Sequence, residues 1–351
     1  MPSNKKRAWN EHVTIRIMVT MAMVILTAQI IFLQGHLGRL ERVTDAFVSP
    51  HSLFQHQFEY NNRDAIGNHA HGVASNSAIT FSISDILRKA GVDLSKEPEI
   101  QSKLPREEDV VRLYGSKPII KGLSRCSAFR DSVPAISRMM APAGMFNTGT
   151  NLVNQLLREN CYIPERIEKL GKESPGMRRQ VPWGKHSPAS WRLKHKAAEA
   201  GDIKHQDYVL PVVVIKDPYT WMTSMCRHSY SANWLHSPHH CPNLVVLDKD
   251  EILKKSVGEG NPVPVNVHYT DDNITRHESL VGLWNDYYSV WYTGASFPRV
   301  IVRFEDLLFH AEEVITEVCH CGGGEMAENF TYIAESAKTG DVHAGALGLI
   351  Q

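Results

Sequence analysis

Residues 209–224, VLPVVVIKDPYTWMTS, open as an apolar run and turn polar at Lys216-Asp217-Pro218. A short run rich in β-branched residues and closed by Asp-Pro reads as a strand buried on both faces, followed at once by a helix. Asp217 suits the N-cap and Pro218 the first helical turn. That local punctuation accounts for Asp217 and Pro218 but not for Ser224, eight positions after Lys216. A cation at a strand end and a hydroxyl two turns into the next helix converge on one anionic group, so Lys216 and Ser224 read as a phosphate clamp.

Upstream lies a second anion-binding pattern, Gly144-Met145-Phe146-Asn147-Thr148-Gly149-Thr150-Asn151. Glycines let backbone N–H groups curl inward, and the helix that follows adds partial positive charge. Leu152, Val153, Leu156 and Leu157 share a face of that helix, which ends near Arg158-Glu159-Asn160. The spacing matches the first half of a nucleotide-triphosphatase loop, G-x-x-x-x-G, but that loop continues with Lys and Ser/Thr. Thr150 and Asn151 stand there instead, which removes the residues an ATPase or GTPase uses. Two anion sites imply a doubly phosphorylated ligand. Strand and helix signals alternate around residues 137–161, 209–230 and 300–318. They predict an α/β fold, a three-layer parallel sheet flanked by helices, with both motifs at the C-terminal ends of strands.

Three segments, in order, resemble the sulfotransferases that use 3'-phosphoadenosine 5'-phosphosulfate (PAPS). Phe146 to Asn151 occupies the family's P-K-S-G-T-T loop, which binds the 5'-phosphosulfate; Asn147, Thr148, Gly149, Thr150 and Asn151 are then cofactor-binding residues. Gly184-Lys185-His186-Ser187-Pro188 is similar to K-x-H-L-P, which makes His186 the expected catalytic base. Lys216, Pro218 and Ser224 fall on the segment that binds the 3'-phosphate, and Arg303-Phe304-Glu305-Asp306-Leu307 echoes Y-E-D-L. The resemblance covers residues 137–335 and implies a P-loop-like fold that transfers a sulfuryl group from PAPS to a hydroxyl, on a carbohydrate by expectation. Two departures stand out. Asn147 replaces the family's lysine, a cation that Lys185 is expected to supply. Lys216 replaces an arginine, keeping the charge without the planar fork. The terminal R-K-G of the family has its nearest counterpart in Lys338-Thr339-Gly340.

A chain of 351 residues with 42% hydrophobic content and zero formal net charge fits one large domain with appendages. The zero balance argues against a nucleic-acid partner. Residues 17–33 carry no charge. As a helix they would span about 26 Å, close to the ~27 Å core of the endoplasmic-reticulum bilayer. Lys5, Lys6, Arg7 and Arg16 precede that stretch, which places the N-terminus in the cytoplasm and the rest in the lumen. The expected organisation is a tail at 1–16, a transmembrane anchor at 17–33, a stem at 34–135 and a sulfotransferase-like domain at 136–351. That is a single-pass type II protein of the Golgi or another secretory-pathway membrane. No small-residue cleavage site precedes Gln34, which favours an anchor over a cleaved signal; an organelle transit peptide is the alternative.

All six cysteines lie beyond that anchor, where a lumenal compartment permits disulfides, and Cys226 with Cys241 is the pair expected from proximity. Asn273-Ile274-Thr275 and Asn329-Phe330-Thr331 are glycosylation sequons. Cys319-x-Cys321 lacks a second pair at ligand spacing, and no metal is expected. Leu280, Leu283, Trp284, Tyr287, Tyr288 and Trp291 recur at helical spacing as a core stripe, while Trp183, flanking His186, is a candidate for the acceptor site. Two other function classes stay open. Asp248-Lys249-Asp250 after an apolar run is similar to the metal-binding D-x-D of lumenal glycosyltransferases, where two carboxylates chelate a cation that bridges a sugar nucleotide's phosphates. Asn147 in place of lysine fits a catalytically inactive nucleotide-binding relative.

Overall fold

The computed structural model describes residues 81–333 apart from 97, 197–204 and 271. The expected tail and anchor at 1–33, and Lys338-Thr339-Gly340, lie outside the described residues. Among the described residues no helix is long and apolar enough to cross a membrane. All of them belong to one compact unit, Asn76–Gln351.

In chain order the strands are β1 (Ile120–Lys121), β2 (Met139–Gly144), β3 (Cys161–Tyr162), β4 (Val209–Ile215), β5 (Ala232–Asn233), β6 (Val265–Thr270), β7 (Asn273–His277), β8 (Val300–Arg303) and β9 (Glu325–Met326). The helices are α1 (Ile83–Lys89), α2 (Pro98–Lys103), α3 (Glu107–Tyr114), α4 (Cys126–Ser132), α5 (Thr150–Asn160), α6 (Pro164–Leu170), α7 (Pro218–Arg227), α8 (Glu251–Ser256), α9 (Leu280–Ser289), α10 (Phe304–Phe309) and α11 (Ala311–Gly322).

The central sheet runs β1-β8-β4-β2. β2, β4 and β8 are parallel, as the alternating elements predict, with Gly144 opposite Val214 and Ile215 opposite Arg303. β1 corrects the all-parallel expectation: it pairs antiparallel to β8, so the sheet is mixed. A two-residue strand carries no periodicity from which its direction could be read.

Successive residues of β4 feed opposite cores, because side chains alternate across a strand. Leu210, Val212 and Val214 pack with α5, α11 and α4 through Leu156, Val318 and Phe129. Val209 and Val213 pack with α7, α9 and β6 through Trp221, Leu283 and Val267. With both faces covered, the strand has no polar side, which is why it reads as an uninterrupted apolar run. The second sheet, β5-β6-β7, belongs to the α7–α9 side.

The described end of the stretch expected as a stem is part of the fold. α4 places Cys126 and Phe129 in the same core as α5, β1 extends the central sheet, and Cys126 is bonded to Cys321, 195 residues away. Cys161–Cys319 adds a second link, so two bridges converge on the last turn of α11. Loops of such length are those whose closure constrains the unfolded chain most. The third bridge is Cys226–Cys241, the pair expected from proximity.

Candidate functional site

β2, β4 and β8 end side by side, and the segments leaving them carry the candidate residues. In open α/β sheets that edge is where ligands bind. The loop after β2 is folded tightly enough to require its glycines. A Cβ on Gly144 would lie 2.7 Å from the Val214 carbonyl oxygen and 2.8 Å from Thr148 Oγ1. One on Gly149, whose φ is +84°, would lie 2.4 Å from the Phe304 ring. Trp221 Nε1 donates to the Phe146 carbonyl at 2.8 Å, and the buried Thr148 hydroxyl donates to the Met145 carbonyl at 2.8 Å. Gly149 is the N-cap of α5 and offers no side chain to cap it. The first-turn N–H groups of α5, Thr150 and Asn151 among them, therefore lack intrahelical partners and carry the helix's partial positive charge.

Lys216 and Ser224 come together as their spacing predicts. Lys216 Nζ donates to Ser224 Oγ at 3.0 Å and stands 4.6 Å from the centroid of the Phe304 ring. Asp217 caps α7 by accepting from the N–H groups of Tyr219 and Thr220 at 3.0 and 3.1 Å. Because Phe304 packs against both the Gly149 turn and Lys216, one aromatic ring connects the two candidate anion-binding elements.

The histidine segment joins them through Gly144. The Gly144 N–H donates to the Lys185 carbonyl at 2.9 Å, and His186 Nδ1 lies 2.7 Å from the Gly144 carbonyl oxygen. A carbonyl only accepts, so the proton of the neutral imidazole is on Nδ1 and Nε2 holds the lone pair. Lys185 Nζ donates to Asn151 Oδ1 at 2.7 Å. Residues 184–188 form turns rather than a strand, so the alternation that would send neighbours to opposite faces does not apply. Like the Thr148 hydroxyl, the Asn147 side chain turns inward: its amide donates to the His228 carbonyl at 2.7 Å and to the Ser224 carbonyl at 3.4 Å. It fastens the loop to the end of α7.

Sequence reasoning placed the stripe on α9 in the core and missed its second task. Trp284 Nε1 donates to the Lys216 carbonyl at 3.0 Å, Tyr287 to the Ser187 carbonyl at 3.2 Å and Tyr288 to the Val214 carbonyl at 2.8 Å. One helix thus ties the clamp, the histidine turn and the end of β4. Polar tips on a buried aromatic stripe are the only sequence signal for this, since such tips need partners. Trp183 is buried, its ring centroid 6.0 Å from that of Trp291. The D-x-D residues close on their own turn, Asp248 pairing with Lys254 and Asp250 accepting from the Leu247 N–H at 3.0 Å. Among the described residues no group of three or more His, Cys, Asp or Glu could hold a metal ion.

Glu305 sits under this edge, buried, with Oε1 accepting from the Asp217 N–H at 3.1 Å. Burial pushes its carboxyl above the ordinary carboxylate value, while the N–H groups of Glu305 and Asp217 pull the other way. A raised folded-state pKa contributes stability that is present below the unfolded value and lost as pH rises through the folded one. Glu305→Gln keeps the accepting oxygen and cannot ionise. Its melting temperature is expected to decline less than that of wild type as pH rises from the ordinary carboxylate range toward neutrality. Parallel curves for the two proteins would remove this role.

No family model, no curated protein and no solved structure matches the chain, so its functional reading rests on the geometry of this edge.

Proposed function

We propose that the protein is a PAPS-dependent sulfotransferase acting on an acceptor hydroxyl, carried by a carbohydrate. One observation carries the reading: a helix-backed anion loop, a Lys–Ser clamp and a histidine with its lone pair on Nε2 meet at one sheet edge, held by named hydrogen bonds. The loop and α5 suit the 5'-phosphosulfate, and Lys216 with Ser224 suits the 3'-phosphate. PAPS would supply the sulfuryl group. His186 Nε2 takes the proton of the acceptor hydroxyl as its oxygen forms the new bond to sulfur. The electron pair of the broken S–O bond leaves on the 5'-phosphate, where the first turn of α5 and Lys185 face the growing charge. The fold reading that goes with it is of the P-loop nucleotide-binding type. That all cysteines of the described residues are disulfide-bonded supports an oxidising compartment and, with the apolar stretch at 17–33, a type II lumenal placement such as the Golgi.

A second reading has its own support. The Asn147 amide is turned to α7 and brings no cation to the loop, which favours a nucleotide binder without turnover. Incubating the full-length chain with radiolabelled PAPS and mixed acceptors, with and without chelator, separates the alternatives. Transfer that survives the chelator is expected. Binding without transfer to any acceptor would leave the inactive relative, and manganese-dependent binding of sugar nucleotides in place of PAPS would restore the D-x-D reading.

A further inference from the structure

Phe146 lies at the centre of an aromatic cluster beside the candidate base. Its ring centroid is 4.8 Å from that of His186, 5.7 Å from that of Tyr230, which is nearly parallel, and 6.5 Å from that of Tyr269. Two of these neighbours are held in ways that core packing does not require. Tyr230 is 54% exposed, yet its backbone is left-handed with φ +50°. A bulky residue rarely adopts that conformation, and such strain concentrates at binding sites. Tyr269 occupies the place in β6 where the register against β7 shifts, between His268 and Thr270. Bulges of this kind re-aim single side chains.

The Tyr269 hydroxyl is hydrogen-bonded to Thr275. Thr275 Oγ1 is 2.9 Å from His277 Nε2, and His277 Nδ1 is 2.6 Å from an Asp286 carboxylate oxygen. A chain of polar groups ending on a carboxylate therefore fixes the phenol oxygen, and a network of this length orients its first member more firmly than one bond would.

We propose that this cluster is the acceptor subsite and that it takes a pyranose sugar. Tyr230, exposed and backed by the buried Phe146 ring stacked beneath it, supplies a flat platform for the C–H face of the sugar ring, and the Tyr269 hydroxyl meets a ring hydroxyl other than the one presented to His186. An apolar face with a hydroxyl rim is what a sugar offers, whereas a simple phenol has no second hydroxyl for Tyr269. The proposal rests on the sulfuryl-transfer reading only for which hydroxyl reacts.

Saturation-transfer NMR of the full-length chain with a panel of methyl hexopyranosides reads the subsite without any transfer. Asparagine tolerates the left-handed backbone, so Tyr230→Asn spares the fold, and it is expected to weaken the best glycoside about tenfold. Tyr230→Phe is expected to keep it, and Tyr269→Phe to flatten the preference between glycosides that differ at one hydroxyl. Affinity for the desulfated product of PAPS stays unchanged in all three. Absence of glycoside binding by wild type, a stronger response from para-nitrophenol, or unchanged affinity in Tyr230→Asn overturns the proposal. Tyr230-dependent glycoside binding in a chain that shows no sulfuryl transfer supports the subsite and counts against the transfer alone.

Discussion

Replacing His186 by alanine is expected to lower turnover by roughly 10²–10⁴-fold, the usual contribution of a positioned general base, while affinity for the desulfated product stays near that of wild type. The expectation rests on a proton inventory. The Gly144 carbonyl lies 2.7 Å from Nδ1 and holds the proton there, which leaves Nε2 with the lone pair a general base needs. A hydroxyl by itself is a poor nucleophile near neutrality, so a base that takes its proton as the bond forms carries the rate. Single-turnover measurement with labelled PAPS isolates the chemical step from release. The substitution also removes the imidazole from the Phe146 ring, so a thermal melt is needed alongside. Turnover equal to that of wild type would take His186 out of the mechanism. Lost turnover with lost product affinity would make it a structural element of the loop.

Lys216→Ala is expected to weaken binding of PAPS and of its desulfated product by about 1.5–3 kcal/mol, the range for a charge-assisted hydrogen bond. The ammonium is preorganised: Ser224 Oγ at 3.0 Å and the Phe304 ring at 4.6 Å confine it on two sides, and Trp284 holds the Lys216 carbonyl. Little side-chain freedom remains to be lost when a phosphate arrives. Lys216→Arg keeps the charge and adds the bidentate fork, so it is expected to bind at least as tightly. Calorimetric titration with the desulfated product measures both variants without requiring an acceptor. Equal affinity in Lys216→Ala and wild type would mean that the clamp holds no phosphate.

On the proposed reading the two experiments probe opposite ends of one ligand. A loss confined to Lys216→Ala would leave the histidine site without a demonstrated reaction, and a loss confined to His186→Ala would leave the 3'-phosphate without a site. The Asn147 amide bears on both, because it ties the loop to the Ser224 and His228 carbonyls of the α7 end and so couples loop geometry to the clamp.

What could be read from the sequence alone was short in range. The apolar run of β4, the Asp217 cap and the eight-residue interval from Lys216 to Ser224 depend on local period and local hydrogen bonds, and each appears in the structure where the pattern placed it. The Gly144–Asn151 turn and the Cys226–Cys241 pair were legible for the same reason. Tertiary structure alone decided the rest. The antiparallel edge β1 and the absorption of α4 into the core come from packing between residues nearly two hundred positions apart, as the Cys126–Cys321 bridge records with its separation of 195. The supports that α9 gives the site join residues separated by 68, 100 and 74 positions. A helical stripe specifies which face is buried. Which carbonyl each buried hydroxyl or indole meets depends on how the chain has closed around that face, and no periodicity encodes the closure.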